Sequence, residues 1–181
     1  MHRKKLVRLL EGYTPTHEPE AGYKLQFLEF VRGNPECFER SLDEGHVCCS
    51  SWLENRSCTR FLLTKHWIAG EWFQLGGHAD GDEDVLRGSL REAHEESGLA
   101  NISPVSLEVF DLGIYSIPRY GEVPAHIHYD VCFWLRTEDR DEYIRISKES
   151  LDLRWFTSPP TTNLAVNRLF SKWKNLRQIY A

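Results

Sequence analysis

The stretch Gly77-His78-Ala79-Asp80-Gly81-Asp82-Glu83-Asp84-Val85-Leu86-Arg87-Gly88-Ser89-Leu90-Arg91-Glu92-Ala93-His94-Glu95-Glu96-Ser97-Gly98-Leu99 organises the chain. Glu92, Glu95 and Glu96 are spaced i, i+3 and i+4, so a helix sets the three carboxylates on one face. Like charges so placed repel, and a hard divalent cation removes the conflict because it takes oxygen ligands. A second pattern supports the helix. Leu86, Leu90 and Ala93 recur at i, i+4 and i+7, an apolar stripe beside the acidic one. The spacing predicts a helix over roughly 83–97, with Asp82 as N-cap, Glu83 and Asp84 in the first turn, and Gly98 at the stop.

Bare E-x-x-E-E is most often a solvated, salt-bridged helix face. The wider spacing is far more specific. The stretch resembles the Nudix box, G-x5-E-x7-R-E-U-x-E-E-x-G-U, with U an aliphatic residue. Gly77, Glu83, Arg91, Glu92, Glu95, Glu96, Gly98 and Leu99 stand at its places, and Ala93 fills the first U with a smaller side chain than usual. At background frequencies near ~6% for each single-residue position, a chance match at one start is below about one in a hundred million.

The resemblance implies an α/β fold, the Nudix α/β/α sandwich with a mixed β-sheet, over residues of about 45–175. It implies a hydrolase that cleaves the pyrophosphate linkage of a nucleoside diphosphate joined to another moiety. Mg²⁺ or Mn²⁺ would be held by Glu92, Glu95, Glu96 and the carbonyl oxygen of Gly77. Glu96 or Glu95 would activate water, Arg91 would orient the carboxylates, and Glu83 would support Arg91 or join the metal network. The other use of such a fold is a catalytically silent nucleotide sensor or interaction module; the intact set of glutamates favours the hydrolase. Phe73-Gln74-Leu75-Gly76 lacks the cysteine that the isopentenyl diphosphate isomerases of this fold require.

Beyond the acidic stretch, Ala125 to Leu135 alternates most clearly as a strand, with His126, His128, Asp130 and Cys132 on one face. His78, His126, His128 and Asp130 are candidate substrate contacts, since imidazole can meet phosphate or move a proton near neutral pH. Alternate residues of one strand rarely complete a tetrahedral zinc shell, so His126, His128 and Cys132 alone do not predict one. Trp67, in the loop before, and Trp72, just ahead of Gly76-Gly77, are the aromatics offered near the site entry, where core packing outweighs base stacking as their expected role.

The formal net charge is −5, and the stretch from Gly77 to Leu99, with seven acids against two bases, carries the whole excess. Such a surface repels polyanions and argues against a general nucleic-acid binder. The five cysteines, Cys37, Cys48, Cys49, Cys58 and Cys132, form no CxxC pair, which fits reduced thiols in a cytoplasmic protein. Arg8 and Glu11 break the apolar run near the N-terminus, leaving no signal-peptide core, and no stretch approaches the length of a membrane span.

Taken in order, residues 1–44 form a helical N-terminal extension expected to pack on the core, and 45–181 a single hydrolase domain. Helices are predicted over 2–12, with Leu6, Leu9 and Leu10, and over 19–32, with Ala21, Leu25 and Leu28 on one face. A homodimer contact is another use open to this leader. Strands are predicted for Val47–Leu53, Cys58–Thr64, Val105–Phe110, Leu112–Ser116 and Leu151–Phe156. Asn163 caps a final helix with Val166, Leu169, Phe170, Trp173 and Leu176 on its buried stripe.

Overall fold

Two leader helices, α1 (Lys4–Gly12) and α2 (Glu18–Gly33), form where the leucine spacing predicts them. The strands β1 (Gly45–Glu54), β2 (Phe61–His66), β3 (Trp72–Phe73) and β4 (Leu75–His78) follow, then α3 (Val85–Ser97). After it come β5 (Ile102–Pro104), β6 (Asp111–Ile117), β7 (His126–Thr137), a 3-10 turn (Asp141–Tyr143), β8 (Ser150–Phe156) and α4 (Leu164–Tyr180). This computed structural model describes residues 3–148 and 150–180, so His2 of the first predicted helix lies outside the described residues. Contacts group the chain into two compact units. One comprises Met1–Ser50, Gly77–Ser89 and Ser106–Phe133, the other Ser51–Gly76, Leu90–Val105 and Trp134–Ala181.

In the first unit, α1 buries Leu6 and Leu10. Arg3 donates to the carbonyls of Val31 and Arg32 at 2.6 and 2.9 Å, placing a cation at the C-terminal end of α2. The buried face of α2 differs from the expected one. Leu28 is buried as expected, but Ala21 and Leu25 are exposed, and Phe27, Phe30 and Val31 are buried in their place. The reason is aromatic: Phe30 stacks on Tyr129 of β7 at 3.8 Å and Phe27 meets the same ring at 5.3 Å, contacts that bury more apolar area than Ala21 and Leu25 offer. β6 and β7 pair antiparallel from Asp111↔Cys132 to Ile117↔His126.

β1 and β7 lie side by side. The Ile127 amide donates to the Glu44 carbonyl, Ser50 donates to Asp130, and Arg136 donates to Glu54. Residue numbers rise together on both strands, so the pair is parallel and the sheet is mixed, as expected.

In the second unit, β2 pairs antiparallel with β8 (Phe61↔Phe156 through Lys65↔Asp152) and with β3. β2 starts three residues later than predicted because Cys58 adopts φ +55° and the Asn55 side chain accepts the amides of Thr59 and Arg60. Val105–Phe110 is not a strand. β5 ends at Pro104, and the Ser106 hydroxyl takes the Glu108 amide, a local bond that competes with a ladder. The core here joins Trp52, Phe61 and Trp173, with Trp52 stacked on Phe61 at 4.3 Å and Trp173 edge-on to it at 5.5 Å. Asn163 caps α4 as predicted, its Oδ1 accepting the amides of Ala165 and Val166 at 2.9 and 3.3 Å.

α3 starts at Val85, two residues later than predicted, and its cap is Asp84 rather than Asp82. Asp84 Oδ1 accepts the Arg87 amide, while the Asp82 carboxylate is held by the Asp84 amide and the Arg87 guanidinium. The buried side also differs from the leucine stripe. Val85, Gly88, Ser89, Glu92, Ala93, Glu96 and Ser97 are buried, and Leu86 and Leu90 only half so. Small residues allow this close approach: a Cβ on Gly88 would meet Cys49 Sγ of β1 at 2.7 Å. Gly88→Val is therefore expected to cost about 1–3 kcal/mol by overpacking, read as a lowered urea midpoint at unchanged slope.

Candidate functional site

The second unit carries the acidic helix turns. Glu92 and Glu96, four residues apart on α3, are 8% and 7% exposed, and Glu95 faces solvent. Burying two carboxylates on adjacent turns is costly unless their oxygens are engaged. Part of that engagement comes from the chain. Arg91 Nη1 donates to Glu92 Oε1 at 2.6 Å and to Glu95 Oε2 at 3.3 Å. The Gly76 amide, next in the chain to Gly77, donates to Glu96 Oε2 at 2.7 Å. The donors gathered here are hard carboxylate oxygens, and this chemistry suits Mg²⁺ or Mn²⁺. Gly77 itself lies half-buried in β4.

The first unit holds a different cluster. On β1, His46, Cys48 and Ser50 alternate onto one face, and on β7 so do His126, His128 and Asp130. His78 ends β4. The His46 ring lies 4.8 Å from His78 and 4.9 Å from both His126 and His128, between centroids. One ligand atom from each of His46, Cys48, His78 and His128 falls within 4.8 Å of the others. His126 Nε2 and His128 Nε2 are 3.0 Å apart, and His126 Nδ1 donates to the Pro124 carbonyl at 2.9 Å. Asp130 is buried and accepts a 2.6 Å bond from the Ser50 hydroxyl.

Three of the four predicted substrate contacts, His78, His126 and His128, thus face one another, and Asp130 is held by Ser50. Reading the sequence missed His46 and Cys48. The signal was present, because His46, Cys48 and Ser50 repeat on β1 the alternation noted on β7. Cys132 stands outside the cluster, its thiol donating towards the Phe133 carbonyl. Glu83 is exposed in the bend before α3. Trp72 packs edge-on against Phe156 at 4.9 Å, and Trp67 is half exposed.

Burial is the first cause of low basicity in this cluster, with neighbouring imidazoles and Arg40 adding to it. His46 and His78 are each lowered to about 4, and His128 to about 3. The unfolded chain takes up these protons near pH 6.5, and the folded one only near or below 4. Their contribution to stability is complete above pH 6.5 and is lost as pH falls towards 4. The metal-free protein is expected to lose thermal stability progressively over that window, as a melting series against pH would record. A flat profile there would contradict buried neutral imidazoles.

A NUDIX domain model matches residues 46–165. No curated protein matches the sequence. Among solved structures, a MutT protein from Methanosarcina mazei Go1 is similar at 16% identity, covering 74% of this chain and 96% of its own, with a TM-score of 0.54. A NUDIX-family hydrolase from Clostridium perfringens is similar at 21% identity, covering 72% and 97%, with a TM-score of 0.52. A MutT NUDIX hydrolase from Burkholderia pseudomallei is similar at 21% identity, covering 71% and 97%, with a TM-score of 0.50. At these identities the structures establish the fold, the α/β/α sandwich class with a mixed sheet.

Proposed function

Because this chain belongs to the NUDIX family and is a pyrophosphohydrolase, we propose that it is a divalent-cation-dependent enzyme acting on a nucleoside diphosphate linked to another moiety. The observation that carries this reading is the pair of buried glutamates, Glu92 and Glu96, braced by Arg91 and by the Gly76 amide. Mg²⁺ or Mn²⁺ bound by such carboxylates offsets the charge of the phosphate oxygens and lowers the pKa of water.

Glu92 and Glu96 are the pre-positioned ligands in this proposal. Each is buried and oriented by a hydrogen bond before any ligand arrives. Glu95 is the group that takes the proton from the attacking water. It is exposed and only weakly tied to Arg91, so it has room to reach substrate and to return the proton to solvent. Arg91 positions Glu92 and Glu95 through one nitrogen.

No helix of the described residues is long and apolar enough to cross a membrane. None of the five cysteines is in a disulfide, which supports placing the enzyme in the cytoplasm.

The test is phosphate-coupled hydrolysis with Mg²⁺ and with Mn²⁺, across nucleoside triphosphates, ADP-ribose, nucleotide sugars, dinucleoside polyphosphates and coenzyme A. Metal-dependent turnover of one group, lost in Glu96→Gln, is the expected result and names the substrate class. Tight nucleotide binding without turnover anywhere would instead identify a sensor.

A further inference from the structure

The imidazole and thiol cluster of the first unit has chemistry that the carboxylates of α3 do not. We propose that His46, Cys48, His78 and His128 form a second cation centre, a closed four-ligand zinc site that joins β1, β7 and the end of β4. The site goes beyond the hydrolytic centre: its residues are different, and its nitrogen and sulfur donors select a borderline-soft ion over Mg²⁺.

Geometry comes first. The four candidate ligand atoms already lie within 4.8 Å of one another. A tetrahedral zinc ion with bonds of about 2.0–2.3 Å sets its ligand atoms roughly 3.5 Å apart, so closure takes an inward movement of about 1 Å. The side chains come from strand positions, where the backbone is held on both sides by the ladder. His46 and Cys48 share one face of β1, and His128 comes from the neighbouring strand.

A second observation is independent of that spacing. His46 is 3% exposed, and neither of its ring nitrogens has a hydrogen-bond partner. An imidazole so buried ordinarily bonds at one nitrogen at least, and leaving both idle is unfavourable. A metal ion engages one of them directly. The surroundings also resemble the outer shell of a metal site. With His126 neutral, its Nδ1–H is committed to the Pro124 carbonyl, so its Nε2 accepts the Nε2–H of His128. The other nitrogen of His128 is then the unprotonated one, and this relay orients the ring as outer-shell partners of zinc-bound histidines do. Four protein ligands leave no open position, so the ion is structural.

Cobalt(II) titration of the full, chelator-treated chain tests this. The expected result is one equivalent of tight binding with the intense visible bands of tetrahedral cobalt and a near-ultraviolet thiolate-to-cobalt band, both displaced by zinc. A Glu92→Gln/Glu96→Gln double variant keeps that spectrum while losing hydrolysis, which separates this site from the hydrolytic reading. Cys48→Ser loses the thiolate band and binds at least tenfold more weakly. The proposal is overturned by the absence of a tetrahedral spectrum, by its loss in the glutamate variant, or by an unchanged spectrum in Cys48→Ser. Should Cys48→Ser fail to fold, zinc-edge X-ray absorption of the wild-type chain decides. One sulfur at about 2.3 Å with nitrogens at about 2.0–2.1 Å supports the site, and a shell of oxygens alone overturns it.

Discussion

Glu95→Gln is expected to lower kcat by about 10²–10⁴-fold, the range that a positioned general base contributes. That fall raises the barrier by roughly 3–5 kcal/mol. The glutamine keeps the shape of the side chain and removes only its capacity to take a proton. Since Glu95 is exposed, the fold bears little of the change. The metal concentration that gives half-maximal rate should move little, because the buried pair Glu92 and Glu96 remains. Glu96→Gln should behave differently. The Gly76 amide donates to a carboxylate oxygen at 2.7 Å, and a neutral amide is both a weaker acceptor there and a weaker ligand. Its loss of rate should therefore be accompanied by a higher metal requirement. Titrating rate against Mg²⁺ for both variants checks the division of roles. If Glu95→Gln kept its kcat while only Glu96→Gln lost it, Glu96 would be the proton acceptor.

Glu54→Ala should destabilise the protein by about 3–5 kcal/mol, the usual result of removing one partner of a buried ion pair. Glu54 is fully buried. Its Oε1 accepts from Arg136 Nε and Nη2, both at 2.6 Å, and its Oε2 accepts from the Trp173 indole at 2.6 Å. This carboxylate therefore ties β1 to β7 and to α4 within the second unit. Alanine would leave the guanidinium without its anion and the indole N–H without an acceptor. For a chain of this length the melting temperature should fall by about 10 °C. Glu54→Gln keeps an acceptor oxygen for one of the two donors and turns its NH2 towards the other, so it should lose less than alanine but still fall short of wild type. A melting temperature of Glu54→Ala within two or three degrees of wild type, as about 1 kcal/mol would give, would show that water replaces the carboxylate at little cost.

How far the chain could be read follows from how local each interaction is. The alternation of β7, the Asn163 cap of α4 and the spacing of Glu92, Glu95 and Glu96 depend on neighbours within a few residues, so they are visible in a single stretch. The start of α3 was displaced by a near neighbour: Arg87 occupies Asp82, and the capping role passes to Asp84. The strand expected at Val105–Phe110 gave way to the local bond of Ser106. In both, a competing side-chain bond close by in the chain overrode propensity.

By itself the sequence determined the family, the acidic helix and the donor chemistry that a divalent ion would meet, because spacing along one helix decides them. Tertiary structure alone decided which faces are buried and which distant residues meet. Phe27 and Phe30 turn α2 inward because Tyr129, about a hundred residues later, offers a ring to stack on. His46 and Cys48 join His128 because β1 lies parallel to β7, a pairing across some 80 residues that no local pattern encodes. Small residues at Gly88, Ser89 and Ala93 let α3 approach closely, which is why glutamates rather than leucines lie on its buried side.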